Sequence, residues 1–466
     1  MPSTSKSPDS SLSPTAVPTE FHGLWRSVGY NRLLEIDAEG YRLYTVTAHA
    51  ARRFEDGTAD DFARAFDRLQ LRPGGRLRLF HAHDVTRYEF ERCAEWPRGC
   101  KLYEAPQPDP VVNFEAFCEL FAENYAFFVL RGVDWESACR SARRQLQAAP
   151  TEERLLDVCH ALIGPLADIH VHITTPDRRL HSPVVTRGPR QALQAAFELP
   201  TPQLSRRTTV EHIAARMLET LLADFAGALK GFRQAGNDVI SWGTLRPGVG
   251  YLNLLRMFGF AQSTRQADDL PHRLHDAGPF MATDMASLDE ILEEAMRELS
   301  GQRTLIVDAR LNAGGFDRAG LLLCERLIEA PQTAFQKKAY TSAGFTAPQR
   351  IGLTPSQGTR FAGPVLLLTS AFTQSAGEVL ALAMSALPNV RILGEPTQGI
   401  LSDNLFHRLP NDWEVSLSNE VYESFDGQCF EAVGVPPHDL LRPLGSSDLI
   451  ADLRAGLVSA VARAQP

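Results

Sequence analysis

The chain has no run of about 18 apolar residues, so nothing in it reads as a membrane-spanning helix. It has no C-x-x-C pair. Its seven cysteines (Cys93, Cys100, Cys118, Cys139, Cys159, Cys324 and Cys429) are odd in number and scattered. That pattern excludes a zinc ribbon and a disulfide scaffold. Cys118, Cys139, Cys159 and Cys324 lie in apolar helical contexts and read as small core residues. Positive charge is short: 47 Lys and Arg stand against 56 Asp and Glu, a net charge of −9. A general nucleic-acid binder is therefore not expected. No repeat of 20–50 residues is visible, and Gly248-Val249-Gly250 lacks the third glycine and following helix of a dinucleotide site. Residues 1–20 are rich in Ser, Pro and Thr and lack the apolar core of a secretory leader. They read as a disordered tail, with the cytoplasm as the default compartment and an extracytoplasmic one left open.

What remains is an ordinary globular composition, 44% hydrophobic and 22% charged over 466 residues, long enough for about three domains. Residues 21–105 form a small β-rich domain, with short strands at Leu33–Ile36, Tyr41–Val46 and Arg76–Phe80. Turns fall at Asp37–Gly40 and Pro73–Gly75. A proline-rich linker, Tyr103–Pro110, follows. Residues 111–230 change to helical period and read as a helical bundle. Phe114, Phe117, Phe121, Tyr125 and Phe128 make an aromatic stripe of core type, Asp134 caps a helix opening at Trp135, and Leu155–Ile163 is a further helix. From 238 to 445 strands and helices alternate, which implies an α/β layer with a largely parallel sheet. Its strands are Val239–Gly243, Val249–Asn253, Thr304–Ala309, Pro364–Leu368 and Val390–Leu393. Ser287 with Glu290 has the form of a capping box for the helix ending at Gly301, and another helix spans 318–330. Residues 446–466 close the chain as a helix.

Ser375 lies where the buried strand Pro364–Leu368 turns into the apolar helix Val379–Met384. A hydroxyl there sits beside unpaired N–H groups and the positive end of a helix dipole, a place suited to a nucleophile that produces an oxyanion. The plainer reading of Ser375 is a helix cap. Three other patches are informative: Leu305–Gly315, a buried strand running into a turn with two glycines; Gly394–Gly399, a loop after a strand; and Gly427–Pro437.

In this order and spacing the four patches resemble the C-terminal processing (tail-specific) serine peptidases, which include the tricorn core protease. The motifs are Arg310-x-Asn312-x-Gly314-Gly315, Thr373-x-Ser375-Ala376-Gly377-Glu378, Gly394-Glu395-x-Thr397-x-Gly399 and Glu431-x-x-Gly434-Val435-x-Pro437. The resemblance runs from about Val239 to Leu441. It extends upstream through Asn113–Glu115, Gly132–Trp135 and Leu166–His170. It implies a crotonase-like α/β catalytic core, joined here to a helical-bundle domain and a small N-terminal β domain. It also implies Ser375 as nucleophile, His170 (in Asp168-Ile169-His170) as base, and Glu431 as the carboxylate of the charge relay. The oxyanion hole would come from the backbone N–H of Ala376 and of Gly314 or Gly315. The reaction implied is cleavage of peptides or unfolded protein through an acyl-enzyme. It needs no cofactor and no metal, and homo-oligomer formation is left open. Two features depart from the family: Ile169 stands where tricorn-like enzymes have a serine, and no room exists for a PDZ domain between 229 and 239. A Ser–Lys dyad is excluded, because no lysine follows Ser375.

Rival readings are fewer. His170-Val171-His172 with Asp168 has the form of a metal site without a second ligand cluster. His81-Ala82-His83-Asp84 and the acidic stretch Glu55–Asp61 read as solvated surface. Glu378, three residues after Ser375, faces either the site or solvent. The alternative function, on the same fold, is a non-catalytic carrier of hydrophobic ligands or peptides, as in the retinoid-binding relatives.

Overall fold

The computed structural model describes residues 16–81, 83–183, 232–264, 271, 273–445 and 448–464. The first 15 residues of the expected tail, and residues 184–230 of the expected helical domain, lie outside them.

The N-terminal layer contains β1 (Gly23–Ser27), β2 (Arg32–Ile36), β3 (Gly40–Val46), β4 (Ala50–Thr58), α1 (Ala59–Ala65), β5 (Arg68–Arg72), β6 (Arg76–Phe80), β7 (Tyr88–Cys93) and β8 (Lys101–Tyr103). They pair as one sheet in the order β5-β6-β7-β1-β2-β3-β4-β8. Two expectations fail here. The Glu55–Asp61 stretch is not a solvated loop: Glu55 is buried and accepts bonds from the Tyr41 hydroxyl (2.6 Å) and the Leu274 N–H (3.1 Å). Thr58 and Asp61 form the capping box of α1, a short-range pattern hidden within an acidic run. His81, expected at the surface, is buried, because Gly278 leaves room for its ring.

The helical layer holds α2 (Pro110–Asn124), α3 (Phe128–Arg131), α4 (Trp135–Ala148) and α5 (Glu152–Ile163), followed by β9 (His172–Thr174) and β10 (Arg179–His181). Asp134 caps α4, accepting from Ser137 N–H at 3.0 Å. The aromatic stripe does not lie on one helix: α2 ends at Asn124, and Phe128 begins α3. Its rings nevertheless share one core, in which Trp135 stacks on Phe121 (5.2 Å) and Phe128 (5.0 Å). Phe128 and Trp135 also line a surface groove, together with Cys118, Cys139, Glu115 and Arg143.

The third layer is built from β11 (Arg233–Ala235), β12 (Ile240–Arg246), β13 (Val249–Leu254), α6 (Leu274–Leu299), β14 (Thr304–Asp308), α7 (Asp317–Glu325), β15 (Gln332–Thr341), β16 (Gly344–Phe345), β17 (Gln349–Leu353), β18 (Val365–Thr369), α8 (Ala376–Ser385), β19 (Val390–Gly394), β20 (Asn404–Arg408), β21 (Glu414–Ser418), β22 (Glu420–Glu423), β23 (Asp439–Leu440) and α9 (Leu449–Arg463). Its main sheet has the order β11-β12-β13-β14-β18-β19-β23, parallel from β13 onward. Strands β14 and β18 are buried on both faces, as their unbroken apolar runs require. Alternate residues point opposite ways: Leu305, Val307, Val365 and Leu367 meet the core shared with α6, α7 and α8, while Ile306, Leu366 and Leu368 meet α9. Ser287 caps nothing, since α6 begins at Leu274 and passes through it. The helix expected over 318–330 ends at Glu325.

Two of the junctions between layers bear on the site. Strands β9 and β21 pair through Thr174–Glu414 and His172–Ser416, which ties the strand after His170 to the third layer. The buried Lys337 ammonium donates to Glu420 (2.8 Å), the Tyr422 hydroxyl (3.2 Å) and Thr86 of the N-terminal layer. Lys337→Met leaves the Glu420 carboxylate buried without its cation. It is expected to cost about 3–5 kcal/mol, read as a lower urea midpoint in equilibrium unfolding.

Candidate active site

In an open parallel sheet, ligands bind beyond the carboxyl ends of the strands. Three of the four patches leave from those ends on adjacent strands: Asp308–Gly315 after β14, Ser370–Ser375 after β18 and Glu395–Gly399 after β19. The fourth packs onto the third through Thr397 N–H to Val435 O (3.2 Å) and Val435 N–H to the Thr397 hydroxyl (2.7 Å).

Ser375 occupies the N-cap position of α8, but its backbone has φ 49° and ψ −122°. An ordinary cap is extended. A non-glycine residue at positive φ is strained, and such strain persists only where surrounding structure enforces it. Asn312 supplies much of that structure. It is fully buried. Its side chain donates to Leu254 O (2.8 Å) and accepts from Gly314 N–H (2.9 Å), while its carbonyl accepts from Gln374 N–H (2.9 Å). The Asp308 carboxylate holds Arg310 by two bonds (2.9 and 2.6 Å), and the Arg310 carbonyl accepts from the Ser370 hydroxyl (2.5 Å). The glycine turn and the serine elbow are thereby locked together.

Gly314, at φ +84°, lies so close that a Cβ there would stand 2.8 Å from Ser375 Cβ and 3.3 Å from Ala376 N. Its N–H is spent on Asn312, so of the two glycines considered for an oxyanion hole only Gly315 keeps a free donor. Among the described residues neither Gly315 N–H nor Ala376 N–H is donated to another group. Met257 bonds to Gly314 O (2.7 Å) and Phe316 N–H (3.1 Å), which turns the Gly315 N–H to the opposite side from Met257.

Glu378 faces inward and is fully buried. Its carboxylate accepts from the Thr397 hydroxyl (2.6 Å) and from the N–H groups of Gly399 (2.6 Å), Ile400 (2.8 Å) and Ser375 (3.3 Å). Burial raises its pKa to about 7 against the pull of those hydrogen bonds. Glu431 is buried too, accepting from Leu401 N–H (2.9 Å), Ser402 N–H (3.2 Å) and Arg131 (3.3 Å). Its pKa is driven well above the usual carboxylate range, first by burial and then by the neighbouring Asp168 and Glu378.

Asp168 is buried, accepts from the Tyr125 hydroxyl (3.2 Å) and takes the His170 backbone N–H (3.0 Å) into a tight turn. His170 is mostly buried, and among the described residues its Nδ1 has no hydrogen-bond partner. It lies near Asp403, on the loop that also carries Leu401 and Ser402. Among the described residues no hydrogen bond joins His170 to Ser375 or to Glu431. The structure therefore brings Ser375, Ala376 and Gly314 into contact with one another. It links Glu431 to the Asp168 neighbourhood and places His170 on that turn without a bond to the serine. The His172 ring packs against His181 (5.1 Å) and Phe406 (5.9 Å), and burial lowers its pKa to about 3. Sequence reasoning missed Arg131 and the Asn312 bracket; the Arg-x-Asn-x-Gly-Gly spacing held the signal for Asn312.

Gly314→Ala is expected to keep the fold, at a strain of about 1–2 kcal/mol, and to lower peptide cleavage on the order of 10²-fold by displacing Ser375. Gly301→Ala, where an added Cβ meets nothing within 4 Å, is the control. Thermal denaturation and cleavage kinetics separate the two effects.

Residues 273–440 match the family model described as Peptidase family S41. A candidate peptidase from Parabacteroides merdae has a similar crystal structure, at 18% identity and TM-score 0.57, over 77% of this chain and 98% of that one. Mature CPAF (14% identity, 76% and 95% covered, TM-score 0.49) and the photosystem II D1 C-terminal processing protease (13%, 74% and 97%, 0.42) superpose less completely. Among the described residues no helix is long and apolar enough to cross a membrane. The chain is a serine-type peptidase, and its residues 273–440 are an S41 peptidase domain.

Proposed function

We propose that Ser375 is the nucleophile of this peptidase, that His170 is its general base, and that Ala376 and Gly315 form its oxyanion hole. One observation carries the reading: a strained serine at a strand-to-helix elbow, with two undonated backbone N–H groups beside it. Ser375 and Glu378 also make a capping box, but an ordinary cap is extended, whereas a nucleophile presented at the end of a sheet takes this strained backbone.

In the acylation step the Ser375 hydroxyl adds to the scissile carbonyl and its proton passes to His170. The resulting oxyanion is held by the N–H groups of Ala376 and Gly315, worth about 3–4 kcal/mol for each donor. His170 then protonates the leaving amine, and water releases the acyl group by the same route. The unpartnered His170 Nδ1 and the missing bond to Ser375 fit a site whose catalytic hydrogen bonds tighten when substrate binds. Glu431 is assigned as the supporting carboxylate. It lies near Asp168, which fixes the His170 backbone.

The substrate we infer is an extended peptide or unfolded segment, added along an exposed strand edge. We retain the cytoplasm as its compartment, since all seven cysteines are unpaired. The proposed layers are those of the sequence: residues 21–105, 111–230 and 238–445. The carrier reading is not advanced, because most of the aromatic stripe is packed core and half the residues lining the groove beside Trp135 are charged.

The test is labelling with a serine-reactive fluorophosphonate, with casein or peptide-library cleavage alongside. Wild type is expected to label and cleave. Ser375→Ala is expected to do neither, and His170→Ala to lose on the order of 10²–10⁴-fold in cleavage. Labelling that survives Ser375→Ala would overturn the assignment.

A further inference from the structure

Arg131 enters the site from a place with no chemical signature. It ends α3, a helix of four residues closed by Gly132 at φ 66°. So short a helix has little stability of its own. One end is fixed by Phe128, which meets Tyr125 (4.8 Å) and Trp135 (5.0 Å). The middle points outward, with Val129 96% and Leu130 50% exposed. The other end sends Arg131 into the protein, where its guanidinium, 11% exposed, meets Glu431, 2% exposed. The partners are 300 residues apart in sequence.

The principal charged groups facing Glu431 come from three elements: Asp168 from the turn before His170, Glu378 from α8 and Arg131 from α3. The Tyr125 hydroxyl and the Cys429 thiol lie near as well. Arg131 is thus the cation among three buried carboxylates. A buried ion pair is weak evidence for stability. This one joins the element beside His170 to the loop beside Ser375, because Glu431 also holds the N–H groups of Leu401 and Ser402.

We propose that Arg131 is a positioning residue for peptide hydrolysis: its ion pair favours the ionised form of Glu431 against the burial and the two carboxylates that oppose it, so that Glu431 grips the 401–402 backbone and holds the two halves of the site in register. The inference rests on the Ser375 reading given above. Without the cation, Glu431 faces two like charges in a buried place and takes up a proton. A neutral carboxyl then accepts the Leu401 and Ser402 N–H bonds weakly, and the loop loosens.

The experiment uses the full chain, with kcat and KM on a fluorogenic peptide and the rate of fluorophosphonate labelling, each measured from about pH 5 to 9. Arg131→Met is expected to move the acid limb of both profiles up by about 1–3 pH units. It is also expected to lower kcat on the order of 10²-fold with KM nearly unchanged. Arg131→Lys, which keeps the charge, is expected to restore the acid limb in part. Adding Arg131→Met to Glu431→Gln is expected to cost nothing further, since the carboxylate it serves is gone; this holds the test open if Arg131→Met alone folds poorly. A wild-type pH profile in Arg131→Met, a loss confined to KM, no rescue by lysine, or additive losses in the double variant would each overturn the proposal. Failure of Ser375 itself is read separately, as labelling that persists in Ser375→Ala.

Discussion

The site depends on one buried carboxylate. Glu378 gathers the Ser375 N–H, the Thr397 hydroxyl and the N–H groups of Gly399 and Ile400 on two oxygens. It therefore joins the elbow after β18 to the loop after β19, with no cation in contact among the described residues. Burying such a charge is costly unless hydrogen bonds replace its water, and here four donors do so. Remove that anchor and neither the strained backbone of Ser375 nor the loop on its flank has a reason to stay where it is. The same residue explains why α8 can be apolar on nearly every face and still begin at a polar site.

Around that anchor the molecule assembles a site from segments far apart in the chain. The glycine turn is placed by Asn312 and Arg310, the histidine turn by Asp168, and the far wall by Glu431 and Arg131. Three of these five, Arg310, Glu431 and Arg131, are charged groups buried in ion pairs. Their gain is in position more than in stability, since buried ion pairs offset most of their own desolvation. The β9–β21 pairing serves the same end: it brings the strand after His170 onto the third layer, although the two strands are separated by most of the chain.

Much of this was legible in the sequence. Strands β14 and β18 are continuous apolar runs, and period-two or helical spacing marked β2, β3, β6, α4 and α5. The serine and the two glycines stood out because turn chemistry leaves local traces, and Glu431 through the resemblance of its motif to the family. What stayed hidden has a common cause. Arg131, Lys337 and Glu55 are charged residues on short or ordinary elements, and a charge reads as solvated unless its partner is known. Their partners lie on other elements, from 14 to 300 residues away, so no local pattern could reveal them. Glu378 was ambiguous because an apolar helix gives no clue to which face carries its one acid. Ser287 misled because a capping box is a four-residue pattern that a longer helix can contain by chance.

The β9–β21 pairing and the Lys337–Glu420 junction also set an order in time. The N-terminal sheet meets its buried cation only after residue 337 exists, and that cation meets its carboxylate only after residue 420. The strand beside His170 waits for residues 414–416. A chain made from its N-terminus folds early units first, but contacts this distant close late. On the ribosome, then, the peptidase remains without a finished cleft until nearly all of it has been synthesised. A growing chain is itself an unfolded polypeptide, and it is spared by an enzyme whose parts come together last.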